Sequence, residues 1–537
     1  MCGIAGLRAR PGGAPPSLDA LKRMVAVLSH RGPDGYGLYR DPQVGFGHAR
    51  LSLIDLEGAA QPLRNGDGTV WLCFNGEVFN YLELRQHLLD LGHKFYTDGD
   101  GEVIVQAYER YGAQAWSMLN GQFAFALWDS RSRNLWLVRD RLGILPLYYA
   151  WRPDGSLAFA SEVKALYADG VMPQRFSARG LAEAFSCWST AAPHTVFEGV
   201  RQVRPGAALR IHPEGTESEK VFWQPSGAVS DCRSLDDAVD GLEHLLSQAV
   251  NIRLRADVPV GAYISGGLDS SVLGSLAVEQ SAGPVETFGI GFADPRFDET
   301  PEQERMVRHL GTHHHGTLVG GGAIRDALED VVWHLEMPSL RTSPVPLFLL
   351  SRLVRDNGIR TVLTGEGADE LLAGYTIFKE DQIRRFWARR PESRIRPALL
   401  ARIHHYVGGD QARSSGLWQS FFSRDLERTD HPFYSHLIRW QNTAGTLRLL
   451  SPDIRAGFSL DAMMTDAEAE MPAGWRDWDP LLRAQVIEIR SFMSSYLLSC
   501  QGDRVTMAHG IEARYPYLDP AVVDYCRHFP SASSCAA

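Results

Sequence analysis

The chain of 537 residues carries 54 Lys and Arg against 64 Asp and Glu, a formal charge of −10, which excludes the basic footprint of a nucleic-acid binder. A hydrophobic content of 44% and a charged content of 22% are those of an ordinary globular protein, with length for several average domains or two larger ones. No apolar run is long enough to span a bilayer, and Arg8, Arg10, Pro11, Gly12 and Gly13 follow the start too soon for a signal peptide.

Seven cysteines, at 2, 73, 187, 232, 500, 526 and 535, include no CxxC pair, so neither a disulfide framework nor a zinc ribbon is suggested. The composition points to a reduced, cytosolic, multi-domain protein. In chain order, MCGIAGL comes first. If Met1 is trimmed, Cys2 becomes the N-terminus and carries a thiol and a free amine on one residue. Up to about Ala168, short aromatic and β-branched runs at 71–80, 123–129, 134–140 and 147–151 read as strands. Leu18–Leu28 and Tyr81–Leu91 have helical spacing between them. Strands dominate, as in an α+β layered domain. Residues 169–234 contain Pro, Gly and an expected strand pair around RQVRPGAALRIHPEG, and read as a connecting segment. From 235 the texture changes to helix (Asp237–Arg253), strand (260–265), glycine turn, helix and strand (285–292), and TVLTGEGADE (361–370) repeats the pattern. This alternation implies a parallel sheet with ligands at the strand C-termini. Residues 376–529 are helix-rich and aromatic. The triple His313-His314-His315 reads as a loop or strand edge, because it lacks companion ligands at metal spacing.

SGGLDSS (265–271) joins a strand end to a helix start. Gly266 and Gly267 allow a tight turn that exposes amides to an anion, and Ser265, Ser270 and Ser271 add hydroxyls. Asp269 inside that loop suits phosphates only with a Mg²⁺ between them. In TGEGADE (364–370) Glu366 sits between two glycines, Gly365 and Gly367, at the mouth of the sheet. Asp369 and Glu370 favour the helix start, and Asp369 with Asp269 completes a cation site. In the first domain, Arg50 in HARLSLID and Glu77 in FNGEVFN are costly to bury unless paired or ligand-bound. An Arg, an Asn and two acids suit an α-amino acid; an internal Arg50–Glu77 salt bridge fits equally well.

Taken together, MCGIAG, RGPDG, HARLSLID, FNGEVFN and DGEVI resemble the class II, N-terminal nucleophile, glutamine amidotransferases. SGGLDSS, GEGADELLAGY and GIEARYPYLD resemble the synthetase domain of glutamine-hydrolysing asparagine synthetases. The motifs run in order over nearly the whole chain. The resemblance implies an αββα glutaminase domain over 2–168 and a connecting segment over 169–234. An ATP-pyrophosphatase-type domain of the adenine nucleotide α-hydrolase kind would follow over 235–529, with a helical extension. Cys2 would attack the glutamine amide, its own amine acting as base. Asn75 and Gly76 would form the oxyanion hole, while Arg50, Leu53, Ile54, Glu77 and Asp100 hold glutamine. ATP would lie on Ile264, Ser265, Gly266, Gly267, Asp269, Ser270, Ser271, Ile290, Thr364 and Gly365. Mg²⁺ would sit on Asp269 and Asp369, with Glu366 as the acid that takes a proton from attacking ammonia. The implied substrates are glutamine, ATP and aspartate, or another carboxylate of a natural-product or cell-surface pathway. No nucleic acid or membrane partner is implied, and a homodimer is left open.

Two departures accompany the resemblance. Gly99 stands before Asp100 where relatives usually show Ser. The chain also ends at FPSASSCAA (529–537), soon after Asp519, where relatives continue through a Lys-bearing segment. Residues 530–537 read as an atypical tail, and the expectation is that a shifted reading frame over Ser531–Ala537 would account for it. On that expectation glutamine hydrolysis survives and amide transfer is weak.

Overall fold

A computed structural model describes residues 1–227, 234–404 and 416–527; the atypical tail lies outside them. The first domain is built on two six-stranded antiparallel sheets. One runs, edge to edge, 200–202, 148–151, 157–160, 3–8, 44–50, 35–40; the other runs 217–221, 207–211, 134–139, 121–129, 70–78, 63–64. Strand side chains alternate between faces. Ile4, Phe46, Cys73, Trp128 and Phe159 therefore fill the layer between the sheets. Phe74, Phe125, Leu127 and Val138 face outward, under the helices Tyr81–Asp90 and Gly101–Tyr111. On the opposite side the helix Leu18–Val27, capped by Ser17, buries Leu21, Met24 and Val25 against Ala5, Leu7 and Ala49. The αββα layering follows from three separate apolar surfaces, each needing its own cover.

Residues 200–221 differ from the sequence-based expectation. The expected strand pair forms as Val200–Gln202 and Ala207–Ile211, but the two strands do not pair with each other. One joins the first sheet at Tyr148–Trp151, and the other joins the second sheet at Asn134–Arg139. Glu217–Val221 then forms that sheet's edge. The Pro/Gly turns that suggested a linker are the corner between the sheets, with Gly206 at φ +65°.

The second domain holds a five-stranded, fully parallel sheet in the order 313–319, 286–292, 260–263, 361–363, 512–514. The His triplet opens its edge strand, where His313 and His315 both bond to Glu286 of the neighbouring strand. Its last strand, Glu512–Arg514, arrives only after the helical region. That region ends in a π-helical segment, Ile489–Arg504, which the sequence did not announce. No helix among the described residues is long and apolar enough to cross a membrane.

Candidate active sites

Cys2 is buried at the head of the strand Gly3–Arg8. Its backbone N–H donates to Asn75 Oδ1 at 2.6 Å, and its sulfur lies 3.5 Å from the backbone nitrogen of Leu51. Asn75 Nδ2 is buried with no partner among the described residues, a free donor beside the sulfur-bearing residue. Asn75, Gly76 and Glu77 follow one another on the strand Val70–Val78. Gly76 has φ +136°, and a Cβ there would lie 2.1 Å from the Gln122 carbonyl oxygen, so a larger residue is excluded.

Met1 is as buried as the core. Its ammonium is held by Glu512 Oε2 at 2.5 Å, with both groups shut away from solvent. Burial opposes that charge, but Glu512, then Cys2 and Glu77, outweigh burial and raise its pKa. Burial pushes the Cys2 thiol up, while the Met1 ammonium pulls the other way. Burial, then Asp100 and Glu512, holds Glu77 well above the carboxylate range, and Asp100 rises to about 6 mainly through burial. Three carboxyls therefore converge on one cation. Asp100 also accepts the Val78 N–H at 2.8 Å, which fixes its direction.

Arg50 lies half-buried with Nη2 donating to the Asp55 carbonyl at 2.6 Å. Leu53 behind it is buried and Ile54 half-buried. The alternative Arg50–Glu77 pair does not form; Glu77 faces Arg514 at 3.5 Å. The Gly99 departure has a packing reason, since a Cβ there would meet Ala59 Cβ at 2.8 Å.

Sequence reading assigned no role to Arg31, Glu162, Asp503, Glu512 or Arg514. Arg31 is fully buried and donates to the Cys2 carbonyl (3.0 Å), to Glu162 (2.9 Å) and, as a two-pronged pair, to Asp503 (2.8 and 2.9 Å). It ties the Cys2 backbone to the π-helical segment of the other domain. Glu512 and Arg514 both lie within the quoted GIEARYPYLD run. Their i, i+2 spacing on a strand was the available signal, because it puts both charges on one face.

The second constellation opens at the C-terminal ends of the parallel strands. Ser265, Gly267, Asp269, Ser270, Thr364, Gly365, Glu366 and Asp369 line one cavity of about 280 Å³. Gly266 takes φ +82° in the turn, and Gly267 caps the helix Leu268–Gln280. Ser265 and Ser270 hydroxyls meet at 2.9 Å, while Ser271 bonds back to the Gly267 carbonyl at 2.8 Å. Ile264 is buried against Gly274, and Ile290 offers its carbonyl to Gln303; neither is among the cavity's lining residues. Burial, then Asp369, lifts Glu366 to about 7, and burial, then Glu366, lifts Glu370 to about 8. Burial, then the nearby Asp369, raises Asp269. Burial also raises Asp369 itself, against the pull of Lys379. Paired acids facing a Gly/Ser loop at a parallel sheet's mouth form a donor set that suits a divalent cation and phosphates.

The strand Glu512–Arg514 stands between the two constellations. Ala513 lines the 280 Å³ cavity, while Glu512 and Arg514 point to Met1 and Glu77 on the opposite face.

Residues 1–223 match the family model described as a glutamine amidotransferase domain. Residues 241–535 match the model described as asparagine synthase. The chain belongs to the asparagine synthase family. Within this family it is 30% identical to asparagine synthetase [glutamine-hydrolyzing] 1 of Bacillus subtilis, over 95% of this chain and 78% of that one. It is 33% identical to a putative asparagine synthetase [glutamine-hydrolyzing] of Mycobacterium tuberculosis, over 99% and 82%. It is also 31% identical to amidase chry2 of Gibberella zeae, over 99% and 83%. Membership places the chain among the glutamine-hydrolysing ligases.

Proposed function

We propose that this chain amidates a carboxylic acid at the expense of ATP, with ammonia drawn from glutamine. With Met1 removed, the Cys2 amine accepts the thiol proton and the sulfur attacks the carboxamide carbon of glutamine. The C–N bond breaks, ammonia departs with that proton, and water releases glutamate from the thioester. The free Asn75 Nδ2 and the Gly76 N–H meet the negative charge that develops on the carbonyl oxygen. Glu77 and Asp100 receive the ammonium of glutamine, in the place the Met1 ammonium takes in the unprocessed chain, and Arg50 its carboxylate.

In the second constellation an acceptor carboxylate oxygen attacks the α-phosphorus of ATP, and pyrophosphate leaves from the SGGLDSS loop. Ammonia then attacks the acyl carbon, AMP leaves with the C–O electron pair, and Glu366 takes the proton the nitrogen loses. A carboxyl with a pKa of about 7 suits that duty. Asp269 and Asp369 would hold Mg²⁺, which would neutralise phosphate charge. With L-aspartate as acceptor, in keeping with the names of the relatives, the products are L-asparagine, L-glutamate, AMP and pyrophosphate. The observation that carries this reading is the strand Glu512–Arg514, which faces the Cys2 end on one side and the Glu366 cavity on the other.

The deciding test is product analysis with glutamine, MgATP and aspartate. AMP and amide formed one for one support the reading; glutamate release without AMP from any carboxylate defeats it. Two further outcomes are expected. A chain that keeps Met1, identified by intact mass, releases no glutamate, since its amine is displaced from Cys2 and its acids are already occupied. Asn75→Ala lowers kcat for glutamate release about 10²–10³-fold, and AMP formation from ammonium chloride stays at the wild-type rate.

A further inference from the structure

Three cavities lie in series beside the π-helical segment Ile489–Arg504, and the proposed chemistry uses only the first. The Glu366 cavity shares Tyr375 with a second cavity of about 230 Å³, whose walls include Trp188, Ile377, Trp440, Phe492 and Leu497. That second cavity shares Cys187, Trp440 and Ser491 with a third and larger one of about 360 Å³, floored by Phe433, Met463, Met471, Ile487 and Ile489. Carboxylates, hydroxyls and glycines line the first cavity, whereas the other two add aromatic rings and thioethers to charged side chains; in the third, Arg179 is paired with Glu183 and Asp466, and Arg204 with Glu219 and Glu470.

The junctions offer little to a polar occupant. The Tyr375 hydroxyl is committed to Glu370 at 3.0 Å. Ser491 turns its hydroxyl back to the Ile487 carbonyl at 2.7 Å, and Cys187 Sγ lies 3.6 Å from Met463 Sδ. At the far cavity Arg490 presents a guanidinium with no hydrogen bond or ion pair among the described residues; the nearby Glu470 and Glu219 attract it but are both ion-paired to Arg204. The apolar parts of these walls, from Trp188 and Phe492 to Phe433, Met463 and Ile487, favour an apolar stretch of an occupant over water. Aspartate, whose polar groups lie within a few bonds of its reacting carboxyl, fits within the first cavity and leaves the other two unused.

We propose that the second and third cavities bind the acceptor. On the amidation reading, this makes the acceptor a carboxylic acid with an extended apolar body and an oxygen-bearing far end. Its reacting carboxylate lies at Glu366, its body passes Tyr375 and Trp440, and its distal oxygens meet Arg490.

The test measures pyrophosphate release from MgATP and ammonium chloride with L-aspartate, hexanoate, decanoate and sebacate in turn. The expected kcat/KM order is sebacate above decanoate above hexanoate, with decanoate at least about tenfold above aspartate. Ser491→Phe, which plugs the junction, is expected to raise KM for decanoate and sebacate about tenfold or more, while glutamate release and the melting temperature report an intact fold. Arg490→Met is expected to erase the preference for sebacate over decanoate. Pyrophosphate release with aspartate alone overturns this assignment and leaves the amidation reading standing. Silence with every acid, aspartate included, overturns both.

Discussion

Replacing Cys2 by Ala is expected to abolish glutamate release, by at least about 10³-fold, while AMP formation driven by ammonium chloride continues. On the proposed mechanism the side chain removed is the nucleophile, and no neighbour can replace it. Leu51 offers only backbone groups to the sulfur, and Cys73, the other cysteine of that layer, is fully buried with its thiol pushed well above the usual range by burial. A fall in both activities would instead mean that residue 2 supports the fold as a whole. The substitution is otherwise mild, because the Cys2 N–H bond to Asn75 and the Arg31 bond to the Cys2 carbonyl are backbone contacts that Ala keeps.

The second large effect concerns Glu366. Glu366→Gln is expected to lower amide formation about 10²–10⁴-fold, with glutamate release unchanged. The wild-type rate of amide formation is expected to rise with pH and level off above about 7, as the carboxyl titrates. The same residue links to stability with a definite sign. Its folded pKa of about 7 lies above the ordinary 4.5, so the folded state binds the extra proton and ionisation costs stability. That cost is absent below the ordinary value, grows as pH rises through the window between the two, and is complete above about 7. Glu366→Gln should therefore melt higher than the wild type at pH 8 and level with it at pH 4. Equal melting points at both pH values, or an unchanged rate of amide formation, would remove Glu366 from its assigned role.

What the sequence disclosed and what it withheld follow a physical division. Asn75, Gly76 and Glu77 sit together on one strand, and Gly365 to Asp369 on one turn, so short motifs carried them intact. Their contacts outside those motifs were not readable. Arg31 meets Asp503 across 472 positions and Met1 meets Glu512 across 511, and pairing at such range leaves no periodic trace. Buried charge was a clue of another kind, because an Arg inside an apolar run requires a partner without saying which. The strands at 200–202 and 207–211 were recognised, but their partners belong to segments some fifty and seventy positions earlier. Their destination was therefore hidden, and the Pro/Gly corner between them passed for a linker. The π-helical segment was illegible for a different reason. One extra residue per turn is set by what the helix packs against, and composition does not encode it.

The strand Glu512–Arg514 also bears on modularity. The family matches divide the chain cleanly between residues 223 and 241, which invites the idea of two tradeable parts. The boundary drawn by sequence similarity is not a seam in the material. A front half cut free there would lose both Asp503 oxygens from Arg31 and Arg514 from Glu77. Stripping one partner from a buried ion pair costs about 3–5 kcal/mol each time, comparable to a domain's whole margin of stability. Shuffling the halves between relatives would work only if this strand travelled with the front half, although in the chain it follows nearly all of the second half's other elements.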